Sequence, residues 1–187
     1  MLKSTFRDTP FRSFSLETER LHLTVPTLDD FDDMHAMWSD MRVVGKVTGR
    51  PYSEEEIWAR IHRIVGHWAL MGYGHWVVRK KSSGKFVGEI GLFHFNRKLG
   101  PRFDNTREIG WMIAHESQQR GYASEAVTAA LAWLDREGTG TETVCMIAPD
   151  NLASLVLAKK FGYEVFDEVV YKQEPMRVLR RRARTAE

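Results

Sequence analysis

The chain has 187 residues, 43% hydrophobic and 28% charged, which suits one globular domain with a buried core and excludes a disordered chain. Its 27 basic and 25 acidic residues leave a net charge of +2, so no global field points toward nucleic acid. Cys145, the one cysteine, rules out an intramolecular disulfide framework and reads as a core thiol suited to a reducing cytoplasm, and no segment approaches the ~20 apolar residues of a membrane span.

In chain order, residues 1–17 carry Phe6, Phe11 and Phe14 without helical spacing and read as an extended arm lacking an apolar stretch of signal-peptide length. Leu21, Leu23 and Val25 alternate with polar residues, the pattern of a strand over 20–25. Thr27, with Asp30 three residues on, opens a helix carrying Phe31, Met34 and Trp38. Ser53 and Glu56 form a capping box before Ile57, Ile61, Ile64, Val65 and Trp68, an amphipathic helix ending near Gly72. Strands follow at 75–80 and 86–95, joined by Ser82-Ser83-Gly84, and another at 106–113. Ala123, Ala126, Val127, Ala130, Leu131 and Leu134 form the apolar stripe of a long helix that Gly138 and Gly140 end. The remainder reads as a strand at 143–148, a helix at 151–161 stopped by Gly162, and strands at 165–172 and 176–179. The order predicts an α/β (α+β) fold, a mixed, mostly antiparallel central sheet flanked by about four helices. Without a repeat or linker, residues 18–180 read as a single domain between the arm and a basic tail at 181–187.

Between the strand at 106–113 and the long helix lies Gln118-Gln119-Arg120-Gly121-Tyr122-Ala123. A loop opening a helix presents backbone N–H groups at the positive end of the helix dipole, a ready site for phosphate or pyrophosphate. Gly121 lets the backbone approach such an anion, and Ala123 keeps the helix start narrow.

This Gln-x-x-Gly-x-Ala spacing resembles the acyl-CoA pyrophosphate loop of the GNAT superfamily of N-acetyltransferases. Thr18-Glu19-Arg20-Leu21 resembles the opening of that superfamily's ribosomal-protein N-terminal acetyltransferase branch, and Glu108-Ile109-Gly110-Trp111 its fourth strand. Asn151-Leu152-Ala153-Ser154, continuing to Lys159-Lys160-Phe161-Gly162-Tyr163, resembles its Asn-x-x-Ser…Gly-Phe helix. Two departures stand in the loop: Gln119 where many members have a glycine, and Gln118 where a basic residue is commoner. The first makes the loop less permissive and the second makes the phosphate contact neutral. The resemblance implies a GNAT-like fold and a cytoplasmic, metal-free enzyme that uses acetyl-CoA as acyl donor and acetylates a primary amine, a protein N-terminus or a small amine. Gln118, Gln119, Arg120, Gly121, Tyr122, Ala123 and Asn151 would contact the donor. In the family the pantetheine arm lies beside the fourth strand like an added strand; backbone groups of Met112, Ile113 and Ala114 would serve this role, one N–H polarising the thioester oxygen.

An α-amine has a pKa near ~8 and a lysine amine near ~10, so the acceptor must lose a proton before it attacks. Glu108 interrupts an apolar strand, and an internal carboxylate has a raised pKa better matched to taking that proton. It is the candidate base; Glu89, inside Val87-Gly88-Glu89-Ile90-Gly91, is its rival. The structural alternative for Glu108 is an ion pair with Arg107, Arg20 or another arginine. Ser154, one turn after Asn151, is a candidate donor to the departing thiolate or else an ordinary helix serine; Asn151 also suits a helix N-cap. His62 and His67 do not share a helix face, and no Cys/His ligand spacing appears. Lys159 and Lys160 read as a solvated helix end, and Arg177, Arg180, Arg181, Arg182 and Arg184 as a solvated, frayed basic end. Trp38, Trp58 and Trp68 suit core packing or an aromatic acceptor pocket. The other functional class is a non-catalytic acyl-CoA-binding or interaction module with the same fold; Glu108 together with Ser154 favours an enzyme.

Overall fold

The computed structural model describes residues 14–136 and 142–182. Phe6, Phe11, Gly138, Gly140 and Arg184 lie outside the described residues. Among the described residues eight strands hydrogen-bond in the order β1-β2-β3-β4-β5-β6-β8-β7: β1 (Leu16–Glu17), β2 (Leu21–Thr24), β3 (His75–Lys80), β4 (Phe86–Phe93), β5 (Arg107–Ile113), β6 (Thr143–Ile147), β7 (Glu164–Tyr171) and β8 (Glu174–Arg181). β1 with β2, β2 with β3, β3 with β4, β6 with β8 and β7 with β8 pair antiparallel and β5 with β6 parallel, so the sheet is mixed and mostly antiparallel, as the order of sequence patterns predicts. Among the described residues six helices accompany it: α1 (Phe31–Trp38), α2 (Met41–Val44), α3 (Glu54–Met71), α4 (Pro101–Asp104), α5 (Tyr122–Arg136) and α6 (Leu152–Lys160). The four longer ones are those the periodicity predicts. The four-residue α2 and α4 are too short to show a period, so sequence pattern alone passes over them.

The chain divides into two compact units, one reaching to Gly91 and including Trp111–Ala130, the other comprising Leu92–Gly110 and the chain from Leu131 onward. In the first, β2 alternates as expected, with Leu21 and Leu23 fully buried and paired opposite Lys80 and Val78 of β3. Thr27 and Asp30 close a capping box over a short 3-10 turn that runs into α1. Ser53 and Glu56 close a second box over α3, and Gly72 ends that helix in the left-handed conformation at φ +73°. Ile57, Ile61, Ile64 and Trp68 make its buried face. Trp68 packs at 5.0 Å against Phe14, tilted, and against Trp76, edge to face, and donates to the His75 carbonyl, so it belongs to the core. Trp38 is also buried, whereas Trp58 is 38% exposed beside Phe31 and His62.

The second unit closes around Phe103, Val144 and Val178. Strands β7 and β8 form a hairpin whose two turn residues, Lys172 and Gln173, have φ +52° and +70°, the signature of the turn that matches strand twist. Thr143 and Tyr163 share a buried hydroxyl–hydroxyl hydrogen bond. Cys145 is buried, and burial pushes its thiol well above the ordinary range, consistent with a core thiol. The basic end differs from a frayed terminus through Arg181: Arg177, Arg180 and Arg181 lie in β8 and pair with Glu168, Glu142 and Asp135. Their charge is held by cross-strand and neighbouring carboxylates, a pairing that a run of arginines cannot reveal by itself.

Candidate functional site

In the first unit, the polypeptide leaves β5, makes a 3-10 turn at His115–Ser117 and enters α5. Gln119 takes φ +58° and Gly121 φ +79°, so the loop reverses through two left-handed residues and brings the helix start under the strand end. The first intrahelical bond runs from the Glu125 N–H to the Gly121 carbonyl at 3.0 Å, leaving the amides ahead of it at the positive end of the dipole. The Gln118 side-chain amide donates to the Ile113 carbonyl at 3.0 Å and braces the loop on β5. At the strand end, the Ala114 N–H donates to the Val87 carbonyl. Gly88 allows this close approach: a Cβ there would stand 2.1 Å from the Met112 carbonyl oxygen.

A set of contacts holds the far side of the loop. Glu125, in the first turn of α5, accepts from the Thr18 hydroxyl, the Arg20 amide and the Arg20 guanidinium at 2.5, 2.9 and 2.7 Å. Arg20 also donates to the Arg120 carbonyl and lies over the Tyr122 ring, with Lys80 at 5.2 Å from the same ring. Burial alone would raise the Glu125 pKa; the Thr18 hydroxyl and Arg20 overrule it and hold the carboxyl below its ordinary range. A charge that would repel an anion at the helix start is thereby neutralised. Thr18-Glu19-Arg20 thus has a structural reason to accompany the loop, which spacing alone does not disclose.

The two carboxylates that compete for the base sit in different surroundings. Glu89, 2% exposed, accepts from Trp38 Nε1 at 2.7 Å and from Arg60 Nε and Nη2 at 3.1 and 2.5 Å, with the Arg60 guanidinium stacked 4.1 Å from the Trp38 ring. Glu108 lies in the second unit at the parallel pairing of β5 with β6, opposite Val144. It is 5% exposed and receives Arg97 Nε at 2.6 Å and Nη2 at 3.0 Å. The arginine is neither Arg107 nor Arg20; it comes from the loop between β4 and α4. Burial pushes the Glu108 carboxyl upward, and Arg97 and the nearby His94 offset only part of that shift. Glu108, Arg97, His94 and Phe95 help line a cavity of about 10 Å³, roughly room for one water.

Asn151 caps α6, its side-chain oxygen accepting from the Ser154 amide at 3.2 Å, so these two residues are neighbours through the cap. Ser154 is half-buried in the first turn of α6. The structure brings Met112–Ala114 together with Gln118 in one unit, and places Glu108, Asn151 and Ser154 in the other. Among the described residues, no group of three or more His, Cys, Asp or Glu side chains is placed to hold a metal ion, and no helix is long and apolar enough to cross a membrane.

A strand, a loop with open amides and a helix in this order, beside a mixed, mostly antiparallel sheet, define an acyltransferase-type fold. The chain belongs to the GNAT acetyltransferase family: it matches the Acetyltransferase (GNAT) domain over residues 20–164. Members of this family use acetyl-CoA as donor. The chain is similar to a GnaT-family acetyltransferase from Bordetella pertussis, with 33% identity and a TM-score of 0.80 over 90% of this chain and 99% of that one. It is 29% identical to YkkB of Bacillus subtilis over 60% of its own length, and spans 64% of the length of that relative. RimL, a ribosomal L7/L12 alpha-N-protein acetyltransferase solved in complex with coenzyme A, shares the fold at 14% identity, with a TM-score of 0.72 over 89% of this chain and 97% of its own.

Proposed function

We propose that the protein is an N-acetyltransferase that moves the acetyl group of acetyl-CoA directly onto a primary amine, a protein N-terminus or a small amine, within a ternary complex. The contrast between the two buried strand carboxylates carries the choice of base. Glu89 has its lone pairs taken up by three donors inside the core and reads as an anchor between α1, α3 and β4. Glu108 borders a water-sized cavity, and its carboxyl is raised by burial, toward the range useful for taking a proton from an amine. In this reading Glu108 accepts the amine's proton, directly or through that water. The amine nitrogen then attacks the thioester carbon, the carbon–sulfur bond breaks, and the thiolate leaves with a hydrogen bond from the Ser154 hydroxyl.

The amides of Gly121, Tyr122 and Ala123 and the neighbouring Arg120 would receive the pyrophosphate, with Gln118 and Gln119 shaping the loop and Asn151 near the pantetheine. The Ala114 N–H is spent on Val87, and strand alternation turns the Ile113 N–H to the opposite edge, which favours Ile113 among Met112, Ile113 and Ala114 as the donor to the thioester oxygen in this reading.

The test is Glu108→Gln. Turnover should fall by roughly a hundredfold or more, the scale of general acid–base catalysis, with acetyl-CoA affinity kept and the deficit shrinking as pH rises and the amine deprotonates by itself. The assay is acetylation of a panel of N-terminal peptides and small amines read by mass. Full activity in Glu108→Gln, with activity lost in a folded Glu89→Gln, would move the base to Glu89.

A further inference from the structure

The carboxylate proposed as the base is already occupied by a cation from its own chain. Arg97 meets Glu108 through two hydrogen bonds of 2.6 and 3.0 Å, and its side chain is only 14% exposed. Its guanidinium carbon also lies 5.3 Å from the centre of the Phe95 ring and 4.8 Å from that of Tyr171. A carboxylate and two aromatic faces meeting one guanidinium form the kind of environment that recognises an organic cation. Both Glu108 oxygens already accept from Arg97, so an acceptor ammonium that is to pair with this carboxylate must compete with the guanidinium for it.

The segment that delivers Arg97 is built differently from its surroundings. Asn96 and Lys98, the residues on either side, have φ +48° and +59°, and Gly100 has φ +102°. Asn96 is a residue type that tolerates the left-handed region, but Lys98 is not, so the loop holds Arg97 inward at some cost in backbone preference. Asp104 anchors the end of the loop by accepting from the Leu99 and Gly100 amides. Arg97 itself is tethered by the groups it covers.

We propose that Arg97 is a built-in occupant of the acceptor's ammonium subsite, displaced when the cationic head of a primary alkylamine enters between Glu108 and the rings of Phe95 and Tyr171. Arg97 is a positioning residue: it keeps the buried carboxylate paired until a second cation replaces it. An alkylamine arrives protonated at neutral pH, so it can make this exchange; an aromatic amine, neutral there, cannot. Once the ammonium is seated, one of its protons passes to a Glu108 oxygen and the nitrogen lone pair is freed for attack. The last step rests on Glu108 being the base; the subsite itself does not.

Binding tests it without turnover. Methylguanidinium, the head group of Arg97, is titrated by calorimetry into the wild-type protein, Arg97→Ala and Arg97→Ala/Glu108→Gln, each checked for a cooperative melt. Arg97→Ala should bind it at least roughly tenfold more tightly than wild type, and adding Glu108→Gln should undo at least roughly tenfold of that gain. Arg97→Gln, which keeps more of the stem, takes the place of Arg97→Ala if the latter does not fold. The wild-type protein gives an independent reading: the Arg97 Nε–H resonance should move saturably as n-butylammonium is added and stay fixed with aniline. Equal methylguanidinium affinities in all folded variants, or an Arg97 resonance indifferent to n-butylammonium, overturn the proposal. If the subsite binds as described while Glu108→Gln turns over normally, the base assignment fails and the cation subsite stands.

Discussion

Gln119 shows how one residue can break a family's habit and still keep its geometry. The loop ahead of α5 turns through a left-handed residue there, and Gln119 supplies it at φ +58° with its side chain in solvent. The conformation costs about 1–2 kcal/mol for a residue with a Cβ, while glycine would lose about 0.5–1 kcal/mol through its freer unfolded chain. Gln119→Gly should therefore leave stability equal or higher by up to about 1 kcal/mol, and Gln119→Val should lower it by more than about 1 kcal/mol. Urea unfolding distinguishes them; equal losses for both would show that the loop does not require this backbone shape. The departure is visible in the sequence as an oddity, but that the loop keeps its turn despite it is a property of the folded backbone.

Elements β4 and β5 meet through a glycine. Gly88, at φ +155°, lies so close to the end of β5 that a Cβ would come within 2.1 Å of the Met112 carbonyl oxygen and 2.9 Å of the Ile113 Cα. These atoms are backbone and cannot rotate away. Gly88→Ala should cost about 1–3 kcal/mol, the range for overpacking, and shift the strand segment proposed to hold the thioester. The expected signature is a raised KM for acetyl-CoA in the fraction that remains folded, measured beside the melting temperature. A Gly88→Ala protein with wild-type melting and KM would mean the strands can part at no cost. Sequence periodicity places both strands correctly, yet gives no sign that they approach this closely, because the contact is between backbones rather than side chains.

For the molecule as a whole, acid is the condition under which its ion pairs should fail. Arg42 holds Asp40, and Arg50 holds Glu56, at pKa values of about 2, and the Glu125 carboxyl is also depressed. Groups with folded pKa values below their unfolded values of about 3.9–4.3 add stability above those values and lose it as pH falls through the folded ones. Glu108 has the opposite sign: its raised carboxyl favours the fold when protonated and gives up that contribution as pH rises through its folded pKa. Depressed carboxylates outnumber it, so denaturant midpoints should hold from neutrality to about pH 5 and then fall steadily toward pH 2. Because Asp40 and Glu56 lie at the surface, added salt should flatten part of this slope. A midpoint that rises between pH 5 and pH 2.5 would contradict the balance.

The sequence by itself determined the order of the four longer helices and of the strands from β2 onward, the capping boxes ahead of α1 and α3, the buried stripe of α5 and the loop ahead of it. Each of these is written in local spacing, and spacing of apolar and capping residues is what backbone geometry reads directly. It also singled out Glu108 and Glu89, because an acid inside an apolar strand stands out without any fold. Which cation meets each acid was decided only by tertiary structure. Arg60 reaches Glu89 from 29 positions away, and Arg97 reaches Glu108 from a loop 11 positions back. Neither pair lies within a single helix or strand, so no local pattern encodes the pairing; it arises when the sheet forms and each buried carboxylate must find a partner or lose its charge.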